Sequence, residues 1–207
     1  MAAGTDRRST NARGKLLEAA VATIREQGFA ATSVYELCAA AGVTKGAFFH
    51  HFPSKEALAV AAADYWTERT GTLFAAAPYH AHGDPLDRLL AYIDFRKDLI
   101  CGEIHDFTCL VGTMVQEAYG ADEIRDACRR SIEAHAKTLE TDIAAAMETY
   151  GARDFTAKSL ALFTQAAIQG AFILAKAKGG RRVAQDAIDH LKRYVTLLFK
   201  EKPDESR

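Results

Sequence analysis

The sequence of 207 residues has few prolines, few cysteines and no long apolar run. Its four prolines leave residues 86–202 free of proline, so nothing in that stretch forces a helix to break. The longest uninterrupted apolar run, residues 57–63, is far too short to span a bilayer, and the N-terminus has no apolar signal segment. We therefore expect a cytoplasmic protein without a membrane partner.

Cysteine pairs and strand-forming patterns are equally sparse. The four cysteines, at positions 38, 101, 109 and 128, form no C-x-x-C pair. This arrangement is more typical of a protein in a reducing compartment than of a protein stabilised by disulfides. Alternating runs rich in Val, Ile and Thr are missing, whereas Ala, Leu, Glu and Lys dominate the periodic stretches. A phosphate loop, a nucleophile elbow and paired acids are also lacking. The sequence predicts an all-α protein that is not an enzyme and carries no cofactor.

The formal net charge of −1 conceals an asymmetry along the chain. Residues 1–55 carry seven Lys/Arg against four Asp/Glu, whereas the remainder carries 19 against 23. A polyanion would be attracted to the N-terminal quarter and repelled by the rest. The imbalance is modest enough to arise by chance, so a motif is needed to interpret it.

The N-terminal quarter contains clear helix start and stop signals. An apolar stripe predicts a helix over residues 12–27, and Gly28 supplies the left-handed residue that ends many helices. Ser33 and Glu36 have the spacing of a capping box, which predicts a second, short helix after the first.

A third short helix should follow the turn at residues 42–43. Thr44 can cap it, and the helix should reach His50. Two short helices joined by a turn can place the second one in a DNA major groove. Gly46 is costly inside a helix, by about 1 kcal/mol relative to alanine, which suggests that something approaches its backbone closely. Lys55 opposes the dipole at the start of the next helix and makes better sense as a phosphate ligand.

The rest of the chain is predicted to be helical throughout. We expect a helix-turn-helix domain over residues 10–55, with the start of a fourth helix to about residue 70, and a helical domain over residues 56–200. After the fourth helix, which should end near residue 76, helices are expected over about 86–100, 107–119, 122–149, 154–178 and 181–199, so that the chain has about nine in total.

The run from Gly28 to Leu58, GFAATSVYELCAAAGVTKGAFFHHFPSKEAL, resembles the signature of the TetR family of repressors almost position by position. The resemblance implies a sequence-specific repressor whose partner is double-stranded operator DNA. It implies phosphate contacts from Thr32 or Ser33, Lys45, Phe49, His50 and Lys55, and it puts Thr44, Lys45, Gly46 and Ala47 nearest the base edges. One departure is Phe49, where the family more often has tyrosine, so a hydroxyl contact is lost although the ring can still pack against the DNA backbone.

Other interpretations of this quarter stay open. A short helix pair with a glycine turn is common in all-helical proteins and need not bind DNA. A non-specific architectural protein would bind DNA without sequence preference, although the acidic remainder of the chain argues against it. The neighbours His50 and His51 point in different directions on a helix, so we expect no metal there.

By the same resemblance, residues 56–200 should bind a small-molecule inducer and form a homodimer through the last two helices. The sequence supports the dimer independently, because the helix over 154–178 is apolar on several faces and must be buried on more than one side. The alternative is that both helices form the core of a monomer. The residues expected at the dimer interface are Leu160, Thr164, Ala167, Ala171, Leu174, Ile188, Leu191, Val195 and Leu198.

Large side chains and isolated polar groups are the candidates for lining the inducer pocket. Most could equally be ordinary core, since aromatic residues at helical spacing usually are. The nominated residues are Trp66, Tyr92, Phe95, Arg96, Phe107, Cys109, Met114, His135, Phe163 and Gln169, with Gln165 and Phe172 as further candidates.

The segment around Cys109 is similar to a Cys-Leu-x-Gly stretch in a branch of the family that responds to electrophiles or oxidants. A thiolate at the start of a helix would have a lowered pKa and raised reactivity, whereas the alternative is an inert core cysteine. An enzyme that used Cys109 with His105 or His135 would lose turnover in Cys109→Ala. Cys101, His105 and Cys109 also recur at intervals of four, but a break in the helix is expected between them, so no metal is expected.

These expectations combine into a two-state mechanism. Two recognition helices, one per subunit, enter successive major grooves about 34–36 Å apart on a palindromic operator. An inducer that binds better to a conformation with the wrong separation lowers the operator affinity by its differential affinity for the two states. The fourth helix, from Lys55 to Trp66, is the expected lever.

Overall fold

The structure, a computed structural model, describes the backbone of residues 3–200 and the side chains of residues 12–200. This part of the chain contains ten α-helices and one short 3-10 helix but no strand, so the all-α prediction is confirmed. The helices are α1 (Ala3–Gln27), α2 (Val34–Ala41), α3 (Lys45–His51), α4 (Lys55–Ala75), the 3-10 helix (Pro78–Ala81), α5 (Pro85–Asp98), α6 (Ile104–Phe107), α7 (Leu110–Ala118), α8 (Asp122–Tyr150), α9 (Ala157–Lys178) and α10 (Arg182–Lys200).

Two helices depart from the predicted boundaries. α1 begins well before residue 12, and the helix expected over 107–119 begins only at Leu110, after the separate short helix α6. The start of α6 has a local cause, because Asp106 turns back to accept a hydrogen bond from the backbone N–H of Glu103 at 2.8 Å. Gly102, with φ of 73°, provides the left-handed turn before it.

The chain divides into two compact units. Of the described residues, unit 1 combines those up to 71 with 108–131, and unit 2 combines 72–107 with those from 132 onwards. The sequence had assigned the segment 108–131 to the helical domain. Two hydrogen bonds explain why this segment lies with the helix-turn-helix: Arg25 Nε donates to Thr108 O at 2.7 Å, and Ala30 N donates to Glu117 Oε2 at 2.8 Å.

In unit 1, α1 packs against α2, α3 and α7. Its apolar stripe buries Leu16 and Ile24, and the two short helices each contribute a fully buried anchor, Leu37 and Phe48. Because α2 and α3 are too short to be stable alone, this shared core is what holds them in place.

In unit 2, α10 packs against both α9 and α5. Two ion pairs also join α5 to α10: Lys97 to Asp189 at 2.7 Å and Lys192 to Asp94 at 2.6 Å. Half-exposed pairs of this kind are worth at most about 1 kcal/mol each, so apolar packing carries most of the stability. By length and composition alone α9 could cross a membrane, but eight of its residues are buried within the chain, as in a core helix.

Candidate nucleic-acid interface and ligand site

A complete capping box begins α2. Ser33 Oγ accepts a hydrogen bond from the backbone N–H of Glu36 at 3.2 Å, and Ser33 N donates to Glu36 Oε2 at 2.8 Å. These bonds with Ser33, its side chain first, hold the pKa of the Glu36 carboxyl below its usual value. At the other end, Gly42 has a left-handed backbone with φ of 62°, which turns the chain towards α3.

The short helix α3 is anchored by one buried side chain and exposes most of the others. Thr44 caps it by accepting a hydrogen bond from Ala47 N at 3.1 Å, and Phe48 is its only buried residue. Lys45 and His50 are exposed, and Phe49 keeps 48% of its surface accessible. Lys45 Nζ lies 5.8 Å from the Phe49 ring centroid, so a cation and an aromatic ring share the outer face.

Gly46 is not required by the protein's own packing. A methyl group built on it would have only Thr44 Oγ1 within 4 Å, at 3.8 Å, and its backbone is not left-handed. Since glycine disfavours a helix, its presence here fits a close approach from outside the chain.

Two of the predicted phosphate ligands instead hold the loop between α1 and α2. Thr32 is only 1% exposed and donates to Gly28 O at 2.6 Å, so the prediction that its side chain faces the phosphate backbone is wrong. Lys55 Nζ donates to Phe29 O at 3.0 Å and to Thr32 O at 2.9 Å. An ammonium has three donors, so one remains, and a phosphate contact from Lys55 stays a prediction.

Three residues near the predicted contacts were missed in the sequence. Tyr35, in the first turn of α2, is 81% exposed. Arg13 on α1 lies 5.5 Å above the ring of Phe52. Burial first, and then His50 and Arg13, lower the pKa of His51 below its ordinary value. An aromatic residue two positions after the capping serine was the available signal for Tyr35.

Unit 2 contains a polar cluster among aromatic rings. Tyr92 OH lies within hydrogen-bond distance of His135 Nε2, at 2.9 Å, and accepts from Gln165 Nε2 at 3.2 Å, while Arg96 NH1 lies 3.4 Å from the same His135 nitrogen. Burial, with Arg96 as a second cause, lowers the pKa of His135 to about 3. The imidazole is therefore neutral near pH 7.

The rings around this cluster form one continuous group. Phe74 is central to it, with ring centroids 4.5 Å from His135, 5.9 Å from Tyr92 and 5.7 Å from Phe95. Tyr79 adds a further ring 5.5 Å from Tyr92. Neither Phe74 nor Tyr79 had been nominated, because one lies at a helix end and the other in a segment with the composition of a loop.

The ten residues nominated for a pocket do not lie in one unit. Trp66, Cys109 and Met114 belong to unit 1, and the other seven belong to unit 2. Phe163 is misplaced in that set, since it is 46% exposed and pairs with exposed Tyr194 at 5.1 Å between ring centroids. Phe107 packs against Phe172 at 5.9 Å, and Gln169 is half-buried.

The predicted dimer interface is largely the chain's own core. Because α9 and α10 pack against each other, their most regular apolar stripe is covered inside the chain. Of the predicted residues, Ala167 and Leu198 are half-buried and Leu174 is exposed. The prediction is wrong for the six that are buried, which are Leu160, Thr164, Ala171, Ile188, Leu191 and Val195.

A different apolar face of α9 and α10 is exposed. Its members keep between 39% and 57% of their surface accessible. We call it the α9/α10 face, and it consists of Leu162, Phe163, Ile173, Leu174, Tyr194 and Leu197.

No group of metal-ligating side chains is found among the described residues. Cys101 is exposed, Cys109 is half-buried at the start of α7, and the turn at Gly102 separates them. Cys128 is fully buried, and burial, with Cys109 as a lesser cause, raises the pKa of its thiol to about 12.

Comparison with known proteins identifies two family models in this chain. Residues 16–62 match the family model for bacterial regulatory proteins of the tetR family. Residues 85–190 match the model for the C-terminal domain of LmrA/YxaF-like transcriptional regulators. Since the second match alone covers half of the chain, the protein belongs to the TetR family. It is a DNA-binding transcriptional repressor of that type and not an enzyme.

Individual relatives match this chain over different fractions of its length. The HTH-type transcriptional repressor DhaR of Mycobacterium sp. strain GP1 is 27% identical, covering 92% of this chain and 91% of DhaR. The regulator YerO of Bacillus subtilis is 38% identical over 52 residues, which is 25% of this chain and only 18% of YerO. A TetR transcriptional regulator from Chloroflexus aurantiacus is similar in structure, with a TM-score of 0.77 and 27% identity, covering 92% of this chain and 96% of that one.

Proposed function

We propose that this chain represses transcription in the cytoplasm by binding a palindromic operator as a homodimer, and that a small-molecule inducer releases it. The observation that carries the proposal is the exposed face of α3. Its single buried anchor, Phe48, leaves Lys45, Gly46, Phe49 and His50 free to meet DNA. A helix that commits one side chain to the core and exposes Lys45, Gly46, Phe49 and His50 is suited to a major groove.

The contacts on α3 divide by chemistry. Lys45 and His50 carry the donors that a phosphate oxygen or a base edge accepts, whereas Phe49 offers only a ring. Thr44, Gly46 and Ala47 lie at the N-terminal end of the helix, which is the end that reaches base edges in helix-turn-helix proteins. Ser33 and Lys55 are expected to contact the flanking phosphates.

The α9/α10 face supports the homodimer. Six apolar side chains exposed on two neighbouring helices form a patch that water solvates poorly and that a second copy can cover. A two-fold symmetric dimer contains two α3 helices, one for each half-site, which accounts for a palindromic operator.

The inducer would act through linkage. A ligand that binds more tightly to a conformation with poorly spaced α3 helices reduces operator affinity by that difference. We place this ligand in unit 2, at the cluster of Tyr92, Arg96, His135 and Gln165, because its polar groups converge among aromatic rings.

An electrophile or oxidant that modifies Cys109 is a second candidate signal. Cys109 is half-buried at the first turn of α7, whereas its neighbour Cys128 is fully buried and is held as a thiol by its raised pKa. Cys109 is thus the thiol of this pair that a reagent could reach.

The DNA proposal is tested by fluorescence anisotropy with the duplex that flanks the protein's own gene. Lys45→Ala should weaken binding by at least about fivefold and reduce the salt slope of log K by about 1 if the ammonium meets a phosphate. Lys137→Ala, an exposed lysine on α8, is the matched control and should bind like the native protein. Equal affinity of the native protein for a scrambled duplex would overturn the proposal.

The Cys109 signal needs its own test. After treatment with N-ethylmaleimide, the native protein should lose operator binding while Cys109→Ser keeps it. Cys101→Ser removes the more exposed thiol and should behave like the native protein. Release of the Cys109→Ser variant by the reagent would exclude Cys109 as the sensor.

A further inference from the structure

Within the described part of the chain, one basic side chain on α5 has no acidic partner at ion-pair distance. Arg88 pairs with Asp142 at 2.8 Å, and Lys97 pairs with Asp189 at 2.7 Å. Arg96, next to Lys97 on the same helix, has no carboxylate within ion-pair distance among the residues that the structure describes. It is nevertheless half-buried, and an arginine taken from water usually keeps an anion beside it.

The surroundings of Arg96 are aromatic. Its guanidinium carbon lies 5.2 Å from the ring centroid of Phe74 and 5.9 Å from that of Phe172. Rings attract the flat face of a guanidinium but leave the N–H donors at its edge unsatisfied. The hydrogen bond of Arg96 to His135, at 3.4 Å, is long and uses one of five donors.

The neighbouring polar groups cannot neutralise this charge. His135 is neutral, and its Nε2 is already hydrogen-bonded to Tyr92 OH. Tyr92 in turn accepts from Gln165. None of these three side chains is an anion, so within the cluster the guanidinium has no carboxylate at ion-pair distance among the described residues.

We propose that Arg96 binds the carboxylate of a monoanionic ligand whose body is aromatic or aliphatic. A planar guanidinium edge matches the two oxygens of a carboxylate. A single charge fits better than a dianionic phosphate, because the nearby cations Arg88, Lys97 and Lys192 are each engaged by their own aspartate. The rings of Phe74, Phe107 and Phe172 would contact the body of the ligand.

This inference rests on the proposed function only in naming the class of the inducer, and it can be tested without DNA. The assay is isothermal titration calorimetry of the full chain with 3-phenylpropanoate and octanoate, each beside its neutral amide. We expect each carboxylate to bind at least about tenfold more tightly than its amide. Equal affinities, or no saturable binding of either carboxylate up to about 10 mM, would overturn the proposal.

Variants separate a binding role from a folding role. Arg96→Gln should reduce carboxylate affinity to that of the amide, Arg96→Lys should retain part of the preference, and Lys97→Gln should leave it unchanged. Circular dichroism shows whether each variant is folded. Unchanged carboxylate affinity in folded Arg96→Gln overturns the site.

Operator release distinguishes this inference from the proposed function. If a carboxylate binds through Arg96 but leaves the operator complex intact, the site stands and its role as inducer site fails. If only neutral or cationic molecules release the operator, induction stands and the ligand class proposed here is wrong.

Discussion

Acidification should destabilise this protein through His135 by about 2 kcal/mol between about pH 7 and pH 5. In the folded chain, burial and then Arg96 lower the pKa of this imidazole from 6.5 to about 3. The unfolded chain keeps the ordinary value and therefore binds a proton first as the pH falls. Stability from His135 is thus complete above the unfolded pKa of 6.5 and is lost as the pH falls towards 3.

The magnitude follows from proton uptake by the unfolded state. At about pH 7 about a quarter of unfolded molecules carry the proton on this imidazole, and at about pH 5 nearly all do, which favours the unfolded state by about 2 kcal/mol. This value hardly depends on the folded pKa so long as it lies below about 4, because the folded form then stays neutral across the window.

Urea unfolding at the two pH values measures the effect, at one fixed protein concentration because a dimer's stability depends on it. His135→Gln has no titrating ring at this position. Between about pH 7 and pH 5, its free energy of unfolding should therefore decrease by about 2 kcal/mol less than that of the native protein. His190→Gln, at an exposed site on α10, is the matched control and should fall as the native protein does. The reasoning is refuted if native and His135→Gln proteins lose the same free energy.

Three further substitutions test local features. Gly46→Ala should raise the free energy of unfolding by up to about 1 kcal/mol in urea yet weaken operator binding in anisotropy; undiminished binding would contradict a close DNA approach. Glu117→Ala should lower the free energy of unfolding by about 0.5–1 kcal/mol, because Ala30 N loses its acceptor, and an unchanged urea midpoint would argue against that bond. Thr108→Val should stabilise the fold by about 1 kcal/mol, because the buried hydroxyl has no partner among the described residues, and a lower melting temperature would reveal one.

The short helices of unit 1 could be predicted because their signals are local. Ser33 and Glu36 satisfy each other within one turn, and Thr44 caps α3 three residues before its partner nitrogen. Such bonds depend only on sequence spacing, so the capping box and the α3 cap are where the sequence placed them. The hydrogen bonds of Lys55 were harder to predict, because its partners Phe29 and Thr32 are more than twenty residues away in the sequence.

The faces of α9 and α10 could not be assigned from their periodicity. The stripe through Leu160 and Val195 is regular, but a repeat shows only that a face is buried and not by which helix. In this structure the helices that cover the regular stripe belong to the same chain. The residues left exposed, such as Phe163 and Leu197, lie outside that stripe. Likewise Arg96 could be nominated as a polar group among apolar ones, but its missing acidic partner became visible only once Arg88 and Lys97 had theirs.

The open space beside Gly46 sets a trade-off for anyone who evolves this protein. Nothing in the fold resists a larger side chain there, and a better helix former would make the molecule more robust. A selection for heat resistance alone would therefore favour replacing this glycine. The selected variants would be more stable proteins that bind the operator more weakly.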